Sequence, residues 1–175
     1  MSSDHRVYLG LGSNLSKPRR QLTRAAGHIS RLPATRLIQS APRYRTRAWG
    51  VTDQPDFINT VIVICTRLKP LALLKHIKTI EYRLMGRQHK QRWHSRCIDI
   101  DILYYEAHPL HRAQLQIPHK LIPQRCFVLR PLLDVLPKQL PRTVKRTLVL
   151  QKSCCQPMTP LISRLENNKM QQILD

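Results

Sequence analysis

Acidic residues are scarce in this sequence: ten Asp and Glu stand against thirty Lys and Arg in 175 residues, for a formal net charge of +20. Such a charge favours anionic partners, namely nucleotides, nucleic acid or an anionic membrane surface, and says nothing about the fold. Aromatic residues make up only 5% of the chain and include just two phenylalanines. This scarcity argues against a surface that stacks many nucleic-acid bases.

Features that would indicate secreted, metal-finger or membrane proteins are also missing. The five cysteines form no C-x-x-C pair and no zinc-finger spacing, so we expect reduced thiols. No signal-peptide pattern follows Met1. The longest apolar run, residues 61–65, is far shorter than the roughly 20 residues that span a bilayer. We therefore expect a cytoplasmic protein without a membrane partner, and a monomer.

Glycine occurs five times, and the segment GLGSN at residues 10–14 lacks the third glycine of a dinucleotide-binding turn. We interpret Gly12, Ser13 and Asn14 as a tight turn after a first strand. Asn14 or Ser16 would then cap a helix that has Pro18 in its first turn.

Apolar periodicity predicts strands that alternate with helices. The predicted strands are 6–11, 35–46 (bent or interrupted at Pro42), 56–68 and 98–105, and the predicted helices are 18–32, a segment that begins at Pro70, and 124–136. The order β-α-β-β-α-β indicates a ferredoxin-like core with a largely antiparallel sheet. We predict one domain over residues 1–141 and a C-terminal extension over 142–175, with a strand at 144–150 and a helix at 160–174.

The main functional signal is the stretch RLMGRQHKQRWHSRCIDIDILY at residues 83–104. Its first half is basic, and its second half alternates Ile with Asp, the pattern of a half-buried strand. Asp99 and Asp101 therefore share one strand face, roughly 7 Å apart. Mg²⁺ binds to one or two carboxylates and completes its shell with water and phosphate oxygens, and the basic residues would bind those phosphates. The alternative is that both aspartates are solvated and pair with nearby arginines.

Other motifs accompany this stretch. They are GSN at 12–14, YRT at 44–46, DQPDFIN at 53–59, Glu81, RWHSRCIDID at 92–101, PH at 118–119 and RCFVL at 125–129. Together they resemble the 6-hydroxymethyl-7,8-dihydropterin pyrophosphokinase family, whose usual signature is R-W-G-P-R-x-x-D-x-D. The resemblance spans about residues 7–135 and implies an α+β fold with helices on both faces of the sheet, a three-layer α-β-α architecture.

The resemblance implies transfer of pyrophosphate from ATP to the hydroxymethyl group of dihydropterin in folate biosynthesis, with release of AMP and two Mg²⁺ ions. It assigns the metal to Asp99 and Asp101, and catalysis to these residues with Arg87 and Arg96. The residues expected to bind ATP are Leu74, Glu81, Arg87, Arg92, Arg96, Ile102, His119 and Arg125. Those expected to bind the pterin are Thr46, Trp49, Phe57, Asn59, Trp93 and Phe127.

The chain departs from the family pattern near the nucleotide. His94-Ser95 replaces the usual Gly-Pro, one extra residue lies between Glu81 and Gly86, and further departures are Arg47 for Pro, Lys120 for an aromatic residue, His89 for Arg, Gln114 for Arg and Gln116 for Thr. These changes predict an active enzyme that is slower or binds ATP more weakly. The alternative is a catalytically impaired paralogue that binds nucleic acid. A basic rim around the aspartate pair would favour ATP, and a basic stripe away from it would favour nucleic acid.

Overall fold

The computed structural model describes residues 4–48, 53–87, 94–106 and 108–137. Its elements are β1 (His5–Ser13), α1 (Pro18–Ser30), β2 (Thr35–Ser40), β3 (Tyr44–Thr46), β4 (Phe57–Thr66), α2 (Pro70–Thr79), β5 (Asp99–Tyr105), β6 (Leu110–Arg112), β7 (Leu115–Ile117) and α3 (Cys126–Val135). The predicted domain boundary at residue 141, the strand at 144–150 and the helix at 160–174 lie outside the described residues. None of the helices in the described ranges has the length and apolarity that a bilayer span requires.

The sheet has the strand order β2-β4-β1-β5, and β3 pairs with β4 beyond the end of β2. Every pairing among these strands is antiparallel. This confirms the predicted ferredoxin-like arrangement, in which two split β-α-β units interlock. The second strand is interrupted at Pro42, one of the two outcomes predicted for it. It consists of two short strands, because Pro42, between Ser40 and Tyr44, cannot donate a ladder hydrogen bond.

Side-chain alternation divides the core between the two faces of the sheet. Odd-numbered residues of β1 and even-numbered residues of β4 and β5 pack against α1 and α2. The opposite face is covered by α3, which buries Val128, Leu129, Leu132 and Val135. The predicted three-layer architecture is therefore confirmed. Leu133 of α3 is 47% exposed, because it lies at the solvent-facing edge of this apolar stripe.

The first strand is longer than predicted. Gly12 and Ser13 continue the ladder of β1, where Gly12 pairs with both Asn59 and Asp99. The chain turns later, at Ser16 and Lys17, whose φ angles are 53° and 63°. The predicted tight turn at residues 12–14 is therefore wrong. The predicted helix caps are also wrong, because Lys17 is the N-cap residue of α1 and no side chain caps this helix, although Pro18 begins it as expected.

The helix type changes after α2, in the stretch where the resemblance implies one extra residue between Glu81 and Gly86. After α2, residues Ile80–Leu84 form a π-helical turn, and the Met85 N–H donates to the Ile80 carbonyl over 2.9 Å. Such turns take up inserted residues within a helix. Gly86 then adopts a φ of 65°, which favours glycine, and ends the segment.

Candidate active site

A pocket of about 490 Å³ lies at one end of the sheet, between the strands and α3. Its floor includes Gly10 and Gly12 of β1, which carry no side chains on this face. A Cβ atom at Gly12 would lie 2.7 Å from Asn59 Oδ1, and one at Gly10 would lie 3.3 Å from Leu103 Cδ1. The two glycines therefore leave space above the middle strand that larger residues would fill.

Asp99 and Asp101 reach the pocket from β5, directly opposite Gly12 and Gly10. Their side chains share one face, as the alternation predicts. Asp99 accepts hydrogen bonds from Arg87 Nη1 at 2.7 Å and from Arg96 Nη1 at 2.9 Å. The pairing with arginine that the alternative interpretation of the two aspartates implied is thus present at Asp99.

The carboxylate of Asp101 lies in an environment that disfavours its charged form. It accepts one hydrogen bond from Arg125 Nη1 at 3.2 Å. Burial, and then the neighbouring Asp99 charge, raise the pKa of Asp101 to about 6, although Arg125 opposes the shift. A cation beside the pair would relieve both effects.

Glu81 lies beneath this pair and has no exposed side-chain surface. Its Oε1 atom accepts hydrogen bonds from the Ile100 N–H at 2.9 Å and from Arg87 Nη1, and Lys78 Nζ donates to Oε2 at 2.6 Å. Burial raises the pKa of Glu81, while Lys78 and Arg87 oppose the shift. Arg87 Nη1 is thus shared between the buried Glu81 and the pocket residue Asp99.

Three residues expected to contact ATP do not line the pocket: Leu74, Glu81 and Ile102. Ile102 is buried in the core beneath the sheet, and Leu74 packs at the edge of that core. Their assignment to ATP stays a prediction.

The rim of the pocket is basic. Its cationic residues are Arg47, Lys78, Arg87, Arg96, Lys120 and Arg125. A basic rim around the aspartates is the arrangement that favours ATP over nucleic acid. The sequence analysis missed Lys78, because a single lysine on an amphipathic helix has no motif to distinguish it from a solvated surface residue. Arg47 and Lys120 were noticed only as departures from the family pattern.

His119 lines the same pocket as a neutral imidazole. Burial, followed by the nearby Arg125 charge, lowers its pKa to about 4. Its Nδ1 atom accepts a hydrogen bond from the Leu121 N–H at 3.2 Å. The ring proton is therefore on Nε2, which can donate one hydrogen bond to an anionic ligand.

The predicted pterin residues in the described ranges also meet at this pocket. Thr46, Phe57, Asn59 and Phe127 all line it. Asn59 is buried, and its Nδ2 atom donates to Thr46 Oγ1 over 2.8 Å. The two phenylalanines, one on β4 and one on α3, are thus brought together from distant parts of the chain.

Arg92, Trp49 and Trp93, together with the departure at His89, lie outside the described residues. Within the described ranges, no group of three or more His, Cys, Asp or Glu side chains could hold a metal ion. A cation here would depend on the two aspartates and on ligands from outside the protein, which fits Mg²⁺, since it keeps several waters and binds substrate phosphates.

Comparison with known proteins finds a family model and relatives that match most of the chain. The family model for 7,8-dihydro-6-hydroxymethylpterin-pyrophosphokinase (HPPK) matches residues 8–137. The Pseudomonas aeruginosa 2-amino-4-hydroxy-6-hydroxymethyldihydropteridine pyrophosphokinase is 42% identical over 132 residues, which cover 75% of this chain and 81% of that protein. The Haemophilus influenzae protein of the same name is 37% identical over 164 residues, which cover 94% of this chain and 95% of that one.

The solved structures that resemble this chain include the Plasmodium falciparum HPPK-DHPS with pteroate. The TM-score is 0.66 at 16% sequence identity, and the match covers 86% of this chain and 43% of that chain. This likeness concerns the fold alone, and the chain spans less than half of that protein. The comparisons do not support the alternative of a nucleic-acid-binding paralogue.

Proposed function

The chain belongs to the 7,8-dihydro-6-hydroxymethylpterin-pyrophosphokinase family, and we propose that the pocket lined by Asp99 and Asp101 is where it binds both substrates. The enzyme transfers pyrophosphate from ATP to the hydroxymethyl group of 6-hydroxymethyl-7,8-dihydropterin and releases AMP, a step of folate biosynthesis. The observation that carries the site assignment is the meeting of the aspartate pair, the basic rim and both phenylalanines in one pocket.

The sheet register suggests where the substrates meet. Asp99 on β5, Gly12 on β1 and Asn59 on β4 form one row across three strands. Side chains of directly opposite residues share a face, so the space above Gly12 is flanked by a carboxylate on one side and by an amide on the other. We propose that the phosphates lie on the Asp99 side and the pterin on the Asn59 side.

On the nucleotide side, Asp99 and Asp101 would hold two Mg²⁺ ions. Mg²⁺ bound there would neutralise phosphate charge and lower the pKa of the attacking hydroxyl. With cations on the carboxylates, Arg87, Arg96 and Arg125 would donate charge-assisted hydrogen bonds to the triphosphate. Attack at the β-phosphorus places charge on phosphoryl oxygens, so these arginines act by positioning and electrostatic stabilisation. His119 adds a neutral hydrogen-bond donor. The resemblance implies that Arg92 adds a further cation.

On the pterin side, the flat heterocycle stacks between Phe57 and Phe127, which is the packing that aromatic rings favour. Asn59 and Thr46 form hydrogen bonds with its polar edge. Trp49 and Trp93 complete the pterin site by resemblance. We also propose that the enzyme acts as a monomer, in the cytoplasm.

The test is AMP formation from ATP and Mg²⁺, with and without the pterin. We expect pterin-dependent AMP release that stops when Mg²⁺ is chelated. Asp99→Asn and Asp101→Asn should each lower kcat by about 100-fold or more, the size of effect seen when a group that stabilises charge in the transition state is removed.

Asp4→Asn is the matched control. Asp4 pairs with Arg67 at 3.9 Å, at the end of the sheet away from the pocket, so this variant should keep wild-type turnover. Full activity in both Asp99→Asn and Asp101→Asn, with the variants folded, would show that the pocket is not the active site.

A further inference from the structure

Two segments of the pocket wall are joined at Asn14, which follows β1 and is 4% exposed. Its Oδ1 atom accepts a hydrogen bond from the Arg96 N–H at 2.8 Å, and its own N–H donates to the Arg96 carbonyl at 3.2 Å. Its Nδ2 atom donates to the Pro55 carbonyl at 3.0 Å and to Gln54 Oε1 at 3.2 Å. Asn14 therefore holds the segment that carries Arg96 beside the segment that leads into β4.

Ser95 adds a direct bond between the same two segments. Its hydroxyl accepts from Asn14 Nδ2 at 3.2 Å and donates to Gln54 Oε1 at 3.0 Å. The residue usual at this position in the family is proline, which has no hydroxyl. A triangle of hydrogen-bonded side chains is thus formed by Asn14, Gln54 and Ser95. The Ser95 corner depends on the serine that stands here in place of the usual proline.

The replacement of Gly-Pro by His94-Ser95 removes one restraint on the backbone and adds another. Proline would fix its own φ near −65° and restrict the residue before it, whereas His94-Ser95 has neither restriction. The hydrogen bonds of the Ser95 side chain to Asn14 and Gln54 restrain this stretch of backbone instead. That backbone in turn orients the Arg96 guanidinium, since Arg96 Nε donates to the His94 carbonyl at 3.2 Å. Arg96 Nη1 then reaches Asp99 at 2.9 Å.

We propose that Ser95 is a positioning residue for pyrophosphate transfer. Its hydroxyl, acting through Gln54 and Asn14, holds the Arg96 backbone so that the guanidinium faces Asp99 and the nucleotide phosphates. The inference rests on the proposed role of Arg96 in the site. Hydrogen bonding replaces the restraint that a proline ring supplies, so ATP should still be bound where the usual Gly-Pro is missing.

The test is a double-mutant cycle with Ser95→Ala and Gln54→Ala. Loss of one hydrogen bond corresponds to about 1 kcal/mol, so each variant should raise the KM for ATP about fivefold. The pterin KM should stay unchanged, because the pterin residues keep their own contacts. The double variant should resemble either single variant rather than show the product of the two effects. Ser95→Thr, which keeps the hydroxyl, should restore the wild-type KM for ATP.

Ser40→Ala is the matched control. Ser40 lies on the edge strand β2, and within the described ranges its hydroxyl donates only to the neighbouring Ala41 carbonyl at 3.2 Å. ATP affinity should also be measured by calorimetric titration on the same variants, so that the result does not depend on turnover. The proposal is overturned if the effects of Ser95→Ala and Gln54→Ala on ATP affinity multiply in the double variant. It is also overturned if Ser95→Ala binds ATP as tightly as the wild type. Absence of pterin-dependent AMP in the wild-type protein would count against the proposed function instead, and the titration would still decide the role of Ser95.

Discussion

Gly12 lies directly opposite Asn59 in the pairing of β1 with β4, and a Cβ atom at position 12 would come within 2.7 Å of Asn59 Oδ1. Real Cβ atoms do not approach an oxygen this closely, so Gly12→Ala must displace the amide from Thr46. We expect the KM for the pterin to rise about tenfold or more, since overpacking of this kind costs about 1–3 kcal/mol. The KM for ATP should change less. Steady-state kinetics with each substrate varied in turn will measure both.

Gly27→Ala offers a matched control on α1. A Cβ atom there would meet nothing within 4 Å, and glycine within a helix is less stable than alanine by roughly 0.5–1 kcal/mol. This variant should unfold at a higher temperature and keep both KM values. If Gly12→Ala kept a normal pterin KM, the amide of Asn59 would not be a pterin contact.

A second prediction concerns Lys120, which is exposed at the rim where the family usually has an aromatic residue. Lys120→Met should raise the KM for ATP up to about fivefold, because exposed charge pairs contribute roughly 0.2–1 kcal/mol. The difference from wild type should shrink at high salt, where such interactions are screened. Lys75→Met, at an exposed position of α2 outside the pocket lining, should leave the KM for ATP unchanged. A loss that is independent of salt would mean that Lys120 acts by packing rather than by charge.

A third prediction concerns the pH dependence of stability. The pKa of His119 is lowered to about 4 by burial and then by Arg125, with Lys120 acting in the same direction and Asp99 against it. Between this value and the ordinary pKa of about 6.5, the unfolded chain binds more protons than the folded one. The contribution of His119 to stability is therefore complete above pH 6.5 and is lost as the pH falls towards 4.

His119→Gln removes this titration. Between pH 7 and pH 4.5, denaturant unfolding should show a larger loss of stability in the ligand-free wild type than in the variant. Asp101 titrates in the same range with the opposite sign, since its pKa is raised to about 6, but it is present in both proteins and largely cancels in the comparison. His111→Gln, at an exposed position of β6, serves as the control. Equal pH dependence in wild type and His119→Gln would contradict the assignment of a buried neutral imidazole.

Local patterns in the sequence predicted those parts of the site that depend on neighbouring residues. The alternation around Asp99 and Asp101 placed both carboxylates on one strand face, because side-chain direction in a strand has a period of two. The positions of Phe57 and Phe127 came from the family resemblance, since nothing local indicates that residues so far apart in sequence share a pocket. Thr46 and Asn59 were assigned in the same way.

The parts that were predicted wrongly depend on partners far along the chain. Gly12 looked like a turn residue, but its lack of a side chain serves the packing between β1 and β4. Asn14 looked like a helix cap, a local role, whereas its hydrogen bonds reach Gln54 and Ser95. A short polar side chain suits either role. The choice between them depends on which segments the sheet brings together, which a single sequence does not reveal.

Glu81 provides the last prediction, because its assignment to ATP and its fully buried position lead to different outcomes. A carboxylate that touches the nucleotide should, when removed, raise the KM for ATP and leave stability nearly unchanged. Removal of a carboxylate that bonds to Arg87, Lys78 and the Ile100 N–H should cost Lys78 and the Ile100 N–H this acceptor and leave Arg87 with Asp99. Breaking a buried ion pair in this way costs about 3–5 kcal/mol, so we expect Glu81→Ala to lower the free energy of unfolding by that amount.

The kinetic effect of Glu81→Ala should follow from Arg87, which then keeps only Asp99 as an acidic partner within the described part of the chain. Glu106→Ala, at an exposed position after β5, is the control and should change stability by less than about 0.5 kcal/mol. Chemical denaturation with and without ATP and Mg²⁺ separates the two roles. If Glu81→Ala were as stable as wild type without ligand and lost only the stabilisation by ATP, the carboxylate would be a nucleotide contact and the buried arrangement would have to open when ATP binds.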